Sequence, residues 1–384
     1  MLENKKIAII YDWIDKWGGV ERVLLTLHEL FPQAEFYTSY FDPQTASWAK
    51  DISIRTSFIQ KLPHIIKKNR ILSLLLYPFA FESLNFNSYD LVISVTSSFA
   101  KSVITKPQTK HVCYLLTPAR FLWSHENEYV GNSIQKIFNQ PFVNYLKRWD
   151  LVASQRPDYI ISLSDTVQRR CKKYYKRDSQ VIYPPFDIKY WQDIKSQIPN
   201  SKFQINSKYQ ILNTKYFLVV SRLEQYKKVD LAVQSFNRLE LPLIIVGKRS
   251  KQNYLKKIAK KNITFVPYVS DGELGLLYSK AEALIMPQEE DFGYVSLEAQ
   301  FFGCPVITYE KGGARETILP GKTGLFFSAQ NPQSLCKTLE QFHTISYNLK
   351  LDTQKLGPKN TERFSKKRFI NRFQSFLISN LKNL

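Results

Sequence analysis

Short apolar runs alternate along this chain with longer stretches of helical periodicity, and the whole alternation happens twice. The first run begins after Lys6 and ends at Tyr11. Having no polar face, it suits a strand buried on both sides of a parallel sheet. The turn Trp17-Gly18-Gly19-Val20 then opens a helical pattern through Val23, Leu24, Leu27 and Leu30. Further strand-like runs cover 35–38, 91–94, 111–114, 159–163 and 181–183, the last stopping before Pro184-Pro185. A second series has runs at 217–220, 243–246, 264–266, 283–286, 306–308 and 325–327. Helical patterns near 229–239, 271–279 and 292–302 lie between them. Such alternation predicts two doubly wound α/β domains, whose strand ends would face a ligand cleft.

The boundary is expected near residue 186, giving domains at 1–186 and 187–350 and a helical segment at 351–384. Residues 187–212 are polar and irregular, as in a linker or interdomain surface. The stretch from Phe364 to Phe373 is helical by spacing and basic on its polar side, and is expected to pack back on the first domain.

Composition narrows the partners. Of 384 residues, 44% are apolar, and 26 Phe with 22 Tyr argue against disorder. Lysine and arginine number 54 against 33 acids, a net charge of +21. That excess attracts polyanions: nucleic acid, an anionic bilayer or phosphorylated substrates. Nucleic acid is disfavoured, because no recognition motif or repeated basic–aromatic strand accompanies the charge. Four scattered cysteines form no CxxC pair, which reads as reduced thiols in a cytoplasmic protein. The N-terminal stretch is too soon polar for a signal peptide, and no run reaches the length of a spanning helix. Membrane association is therefore expected to be peripheral.

The densest chemistry lies at Pro287-Gln288-Glu289-Glu290-Asp291-Phe292-Gly293-Tyr294-Val295-Ser296-Leu297-Glu298, between an apolar strand and an apolar helix. A carboxylate pair, Glu290 and Glu298, suits hydrogen bonding to vicinal hydroxyls of a sugar or ribose. Gly293 permits close approach to a helix start that can hold anions. The alternative is acidic capping of that helix plus one surface glutamate. Arg222 and Lys227 follow the 217–220 run and could straddle a diphosphate, or form a solvated basic helix start. Lys248 and Arg249 raise the potential at the same edge. Gly18-Gly19 and Gly312-Gly313 allow either close substrate approach or tight turns of positive φ. Neither matches a dinucleotide or P-loop fingerprint. His28, His64, His111, His125 and His343 have no metal spacing and no Asp-x-Asp pair is present, so no metal is expected.

These segments together resemble family GT4 of the glycosyltransferases, in its group 1, mannosyltransferase-like branch of surface polysaccharide assembly. The likeness runs through most of the chain. It is carried by Trp17-Gly-Gly-Val-Glu21-Arg, Thr56-Ser-Phe-Ile59, Tyr89-Asp-Leu-Val-Ile-Ser94 and Tyr183-Pro-Pro. Ser221-Arg-Leu with Lys227, the Glu290-x7-Glu298 element, Gly312-Gly-Ala-Arg-Glu-Thr and Gly321-Lys-Thr-Gly complete it. The resemblance implies a GT-B fold of two Rossmann-like domains, the first taking the acceptor and the second a nucleotide sugar. It implies retaining, metal-independent transfer with Glu290, Arg222 and Lys227 as the catalytic group. Glu298 would bind the donor ribose. Phe292, Gly293 and Tyr294 would lie on the sugar side, and Gly18 and Gly19 near the phosphate.

One departure stands out. The family's His-Thr-Pro is here Leu116-Thr-Pro118, so Arg120 or His125 would have to replace the histidine, or the sugar lacks the group it meets. The expected donor is GDP-mannose, with a UDP- or dTDP-sugar, a deoxyhexose included, as the alternative. A sugar-nucleotide epimerase or hydrolase is the rival enzyme class. The basic and apolar stretch 59–79 reads either as an interfacial segment on anionic lipid or as a core helix with a solvated face. With the resemblance, it points to a lipid-linked glycan acceptor at the inner face of the cell membrane.

Overall fold

A strand covered on both faces is mostly apolar, and any polar residue in it needs a partner, as Ser94 finds in His111 and Thr96 in Asp12. In the computed structural model, which describes residues 4–124, 133–198 and 215–381 (133–139 by backbone only), β1 (Ile7–Tyr11) and β4 (Leu91–Thr96) are buried throughout. They pair in parallel, Ile9 opposite Ile93. With β2 (Glu35–Thr38), β3 (Ile54–Thr56), β5 (Lys110–Leu115), β6 (Tyr159–Ser162) and β7 (Gln180–Val181) they build a parallel sheet ordered β3-β2-β1-β4-β5-β6-β7. The second sheet contains β8 (Phe217–Val220), β9 (Leu243–Val246), β10 (Ile263–Val266), β11 (Leu284–Met286), β12 (Val306–Tyr309) and β13 (Gly324–Phe327). Its order is β10-β9-β8-β11-β12-β13. Each order runs outward from one central strand, jumps back beside it, and runs out the other way, as in a doubly wound Rossmann-type sheet.

The chain divides into two compact units, Met1–Pro185 with Phe369–Leu384, and Phe186–Arg368. Ala8, Ile10, Tyr37, Phe81, Val92 and Phe99 belong to the first core, and Val219, Val233, Ile245, Ile285, Ile307 and Leu335 to the second. Within the helix Lys366–Asn380, Phe369 packs on Tyr114 and Phe376 on Tyr159. The four cysteines are buried as free thiols, and burial pushes Cys113 and Cys304 up to about 12. Among the described residues no helix is long and apolar enough to cross a membrane.

Three stretches differ from the sequence reading. Residues 188–197, expected to be irregular, form a helix because Asp187 caps it through Tyr190 N (3.0 Å) and Trp191 is buried against Phe302. The helix expected from 292 starts at Tyr294, since Gly293 takes φ +91°. The 59–79 stretch is neither one core helix nor one amphipathic helix. It breaks into a tight turn at Phe58–Lys61 and helices at His64–Lys68 and Tyr77–Glu82.

A buried network steadies the helix Tyr294–Phe301. Ser296 Oγ meets Thr317 Oγ1 at 2.7 Å, and Gln300 Nε2 donates to the Thr317 carbonyl. Asn360, on the long helix Pro332–Thr361, donates to Gln300 Oε1 at 2.9 Å. Buried polar groups satisfied in this way fix a helix more narrowly than apolar packing alone.

His111, at the start of β5, is wholly buried with Nε2 on Ser94 Oγ (2.8 Å) and Nδ1 unpartnered among the described residues. Burial, helped by Arg156 and Arg177, pushes its imidazole down to about 3. The native ring therefore stays neutral while the unfolded chain takes a proton near pH 6.5, so stability falls as pH drops from about 6.5 toward 3. Urea unfolding at pH 7 and pH 4.5 should show His111→Gln losing about 2–3 kcal/mol less than the parent across that interval. Equal losses would mean that the ring is protonated in the folded protein.

Candidate functional site

Loops leaving the ends of two adjacent strands splay apart where the strand order reverses, and in open α/β sheets that crevice is where ligands bind. In the second sheet the reversal lies between β8 and β11. The first of these leads into Ser221–Lys228 and the second into Pro287–Gly293, so the two segments singled out by sequence emerge side by side.

Lys227 closes the short turn Gln225–Lys227, and its Nζ forms an ion pair with Glu290 Oε1 across 63 residues of sequence. The two side chains are only 11% and 18% exposed, so the pair is largely withdrawn from water. Gln288 Nε2 donates to the same Glu290 oxygen at 2.9 Å. Tyr226 organises both cations of the preceding loop. Its hydroxyl accepts from Arg222 Nη2 (2.8 Å) and its ring centroid lies 5.1 Å from Lys227 Nζ. Arg222 itself is exposed, and so are Lys248 and Arg249.

The capping alternative for the acidic cluster is not realised. The helix Tyr294–Phe301 has no acid in its first turn and no side-chain cap, while Glu290 turns to Lys227 instead. Glu298, on that helix, is buried and accepts from Tyr278 Oη at 3.1 Å. Phe292 is buried with its ring 5.3 Å from that of Tyr294.

Gly312-Gly313 explains itself through Glu290. Gly312 has φ +81°, and a Cβ there would lie 2.2 Å from the Glu290 carbonyl. Gly313 N donates to that carbonyl at 2.7 Å. The glycine pair thus grips the backbone that presents the carboxylate. Gly18 and Gly19 behave differently, neither adopting a positive φ; Gly18 is extended and Gly19 begins the helix Gly19–Leu30 of the first unit.

Leu116 follows β5, half-buried, with its N–H on the Thr96 carbonyl (2.8 Å). Arg120 opens the short helix Arg120–Trp123, and His125 lies outside the described residues. Sequence reasoning gave no role to Gln288 or Tyr226. Their only signal was adjacency to residues already chosen. Among the described residues no group of three His, Cys, Asp or Glu side chains is placed to hold a metal ion.

Known proteins resemble this chain in sequence and in fold. Residues 201–357 match the family model described as glycosyl transferases group 1. An uncharacterized 41.2 kDa protein in the cps region of Klebsiella pneumoniae is 29% identical over 126 residues, a third of either chain. The alpha-1,3/1,6-mannosyltransferase ALG2 of Debaryomyces hansenii is 25% identical, covering 89% of this chain and 83% of its own. Glycogen synthase of Mycobacterium tuberculosis is 34% identical over 28% of this chain and 29% of its own, so several curated matches span only about a third of the relative. Anabaena HepE, solved with UDP and glucose, superposes with TM-score 0.70 at 18% identity over 98% of this chain and 100% of that one. Sucrose-phosphate synthase of Thermosynechococcus elongatus gives 0.71 at 16% identity, over 99% and 100%. The fold is GT-B.

The ion pair has a measurable consequence. In a double-mutant cycle of Lys227→Met and Glu290→Gln followed by urea unfolding, the pair should couple by about 1–3 kcal/mol. Additive single effects would mean that the two groups do not meet in solution.

Proposed function

We propose that this chain, whose fold is GT-B and whose residues 201–357 match group 1 glycosyl transferases, moves a hexose from a nucleotide sugar to a glycan acceptor with retention of configuration. The observation that carries this reading is the pairing of Lys227 with Glu290 at the sheet's reversal point, with exposed Arg222 beside it. A departing diphosphate develops negative charge. Arg222 can meet it with a planar fork and Lys227 with a point charge, which stabilises the leaving group. Glu290 is assigned to the transferred sugar's ring hydroxyls and to positive charge at its anomeric carbon. Glu298 is assigned to the ribose, and Phe292, Gly293 and Tyr294 to the sugar side. Gly18 and Gly19, with the first unit, are assigned to the phosphate and the acceptor. Departure and attack on one face need no general-base relay, so positioning and charge stabilisation are the protein's work.

A UDP-sugar is the donor we favour, because HepE, of the same fold over the full chain, has been solved with UDP, with glucose and with UDP-glucose. The likeness to ALG2 over 89% of this chain favours a second reading, mannose transfer from GDP-mannose.

The acceptor is proposed to be lipid-linked and met at an anionic membrane, on the inner face of the cell membrane. Support comes from the 58–79 region, where Ile65, Ile71, Leu72, Leu75 and Phe79 are between 49% and 82% exposed. Lys61, Lys67 and Lys68 lie among them, and Arg70 is held to the body by Asp15 (2.6 Å) and stacked over Trp13. Lys68 also pairs with Asp42 (3.2 Å), and exposed apolar side chains close in sequence to lysines suit an interface of acyl chains and anionic headgroups.

Thermal shift with UDP, GDP, UDP-glucose and GDP-mannose tests the donor. Stabilisation by the uridine pair is expected; stabilisation by the guanosine pair alone selects the second reading, and none by any of the four defeats both. In a transfer assay with the donor so found, Glu290→Ala and Arg222→Ala should each cut turnover about a hundredfold or more with unchanged circular dichroism. Rates close to the parent's would remove those roles.

Vesicle co-sedimentation tests the surface. The protein should pellet with phosphatidylglycerol-containing vesicles and stay in solution with pure phosphatidylcholine. The combined Ile71→Ser, Leu72→Ser and Phe79→Ser variant should lose most of that binding, and a variant that pellets like the parent would place the contact elsewhere.

A further inference from the structure

The loop after β11 holds one more side chain with unused chemistry. Gln288 is 4% exposed, and its Nε2 donates to Glu290 Oε1, the oxygen that also receives Lys227 Nζ. This contact fixes the orientation of the amide. A carboxylate oxygen paired with an ammonium can only accept, so the branch facing it must be NH2. The other branch is then the carbonyl, and this Oε1 is buried with no hydrogen-bond partner among the described residues. Folded proteins leave few buried acceptors in that condition, and those that remain call for a ligand or an ordered water.

The backbone on either side of Gln288 is held in place. Gln330 Nε2 donates to the Pro287 carbonyl at 2.9 Å, and Gly313 N holds the Glu290 carbonyl. Gln288 lies between these two anchors. Its amide nitrogen is already committed to Glu290, so its carbonyl can serve only a donor that comes to it.

We propose that Gln288 reads the sugar: its N–H orients Glu290, and its carbonyl accepts a hydrogen bond from one hydroxyl of the hexose carried by the nucleotide. This rests on the nucleotide-sugar reading above and names the residue that makes that site selective. Two acceptors side by side, one charged and one neutral, suit two neighbouring hydroxyls. A sugar lacking the one that meets Gln288 would leave its oxygen buried and unpaired, which weakens binding.

Calorimetric binding to the intact protein tests this. UDP and UDP-glucose are titrated first, with GDP and GDP-mannose if the uridine pair fails, followed by the monodeoxy analogues of the donor that binds. The parent should bind one monodeoxy donor about ten- to a hundredfold more weakly than the full sugar. Gln288→Met, close to Gln in shape, should bind the bare nucleoside diphosphate as the parent does and no longer distinguish that analogue. A parent that binds every monodeoxy donor equally overturns the proposal without any variant. A variant that weakens bare nucleotide and nucleotide sugar by the same factor makes Gln288 a structural support and also overturns it. A parent that binds no nucleotide removes the donor reading itself, and this proposal with it.

Discussion

The second unit is arranged around one ion pair. Lys227 and Glu290 come from loops on the two strands that flank the reversal of strand order, β8 and β11, where the backbones diverge. A lone ammonium or carboxylate that is less than a fifth exposed would be costly, and pairing offsets part of that cost for both. Everything nearby serves to hold one member in place. Tyr226 lies against the lysine, Gln288 bonds the carboxylate, and Gly312-Gly313 takes the backbone behind it. Beside this pair Arg222 stays exposed, its guanidinium held by the Tyr226 hydroxyl.

The first unit shows the same topology put to another use. Its reversal lies between β1 and β4, and Asp12 occupies it. Asp12 accepts from Thr96 Oγ1 and from the backbone N–H groups of Ser97, Phe99 and Ala100, each at 2.8 Å. A buried carboxylate there takes the donors that a phosphate would otherwise find. The two sheets therefore fill equivalent crevices differently: in the first a buried carboxylate takes backbone N–H groups, and in the second a carboxylate takes a lysine.

Strand positions were legible because a parallel sheet leaves its central strands no polar face: β1 and β9 read as unbroken apolar runs, and β4 and β12 as apolar runs broken only by Ser or Thr. Edges were harder. Ile54–Thr56 is short and half-exposed, with Arg55 in its middle, and went unread. The 188–197 helix hid because its apolar anchoring rests largely on Trp191. At the site, Glu290 and Lys227 were legible as types of residue in suggestive places, but their pairing was not, since only the fold brings β8 beside β11. Gln288 had no signal of its own, because a glutamine beside acids looks like any polar loop residue until its burial is known.

This division of labour bears on selectivity. HepE and sucrose-phosphate synthase align over nearly the whole chain at 16–18% identity, so the framework tolerates almost complete replacement of side chains. What such a framework preserves is where the loops emerge and how closely their backbones can approach. Here the 287–290 backbone is held by Gln330, by Gly313 and by the steric need for glycine at 312. Side chains on a backbone clamped in that way can change without moving the cations on the neighbouring loop. Under the proposed reading, sugar preference is therefore set by Gln288 and Glu290 on the β11 loop, and affinity for the nucleotide's phosphates by Arg222 and Lys227 on the β8 loop. The ion pair between Lys227 and Glu290 couples the two.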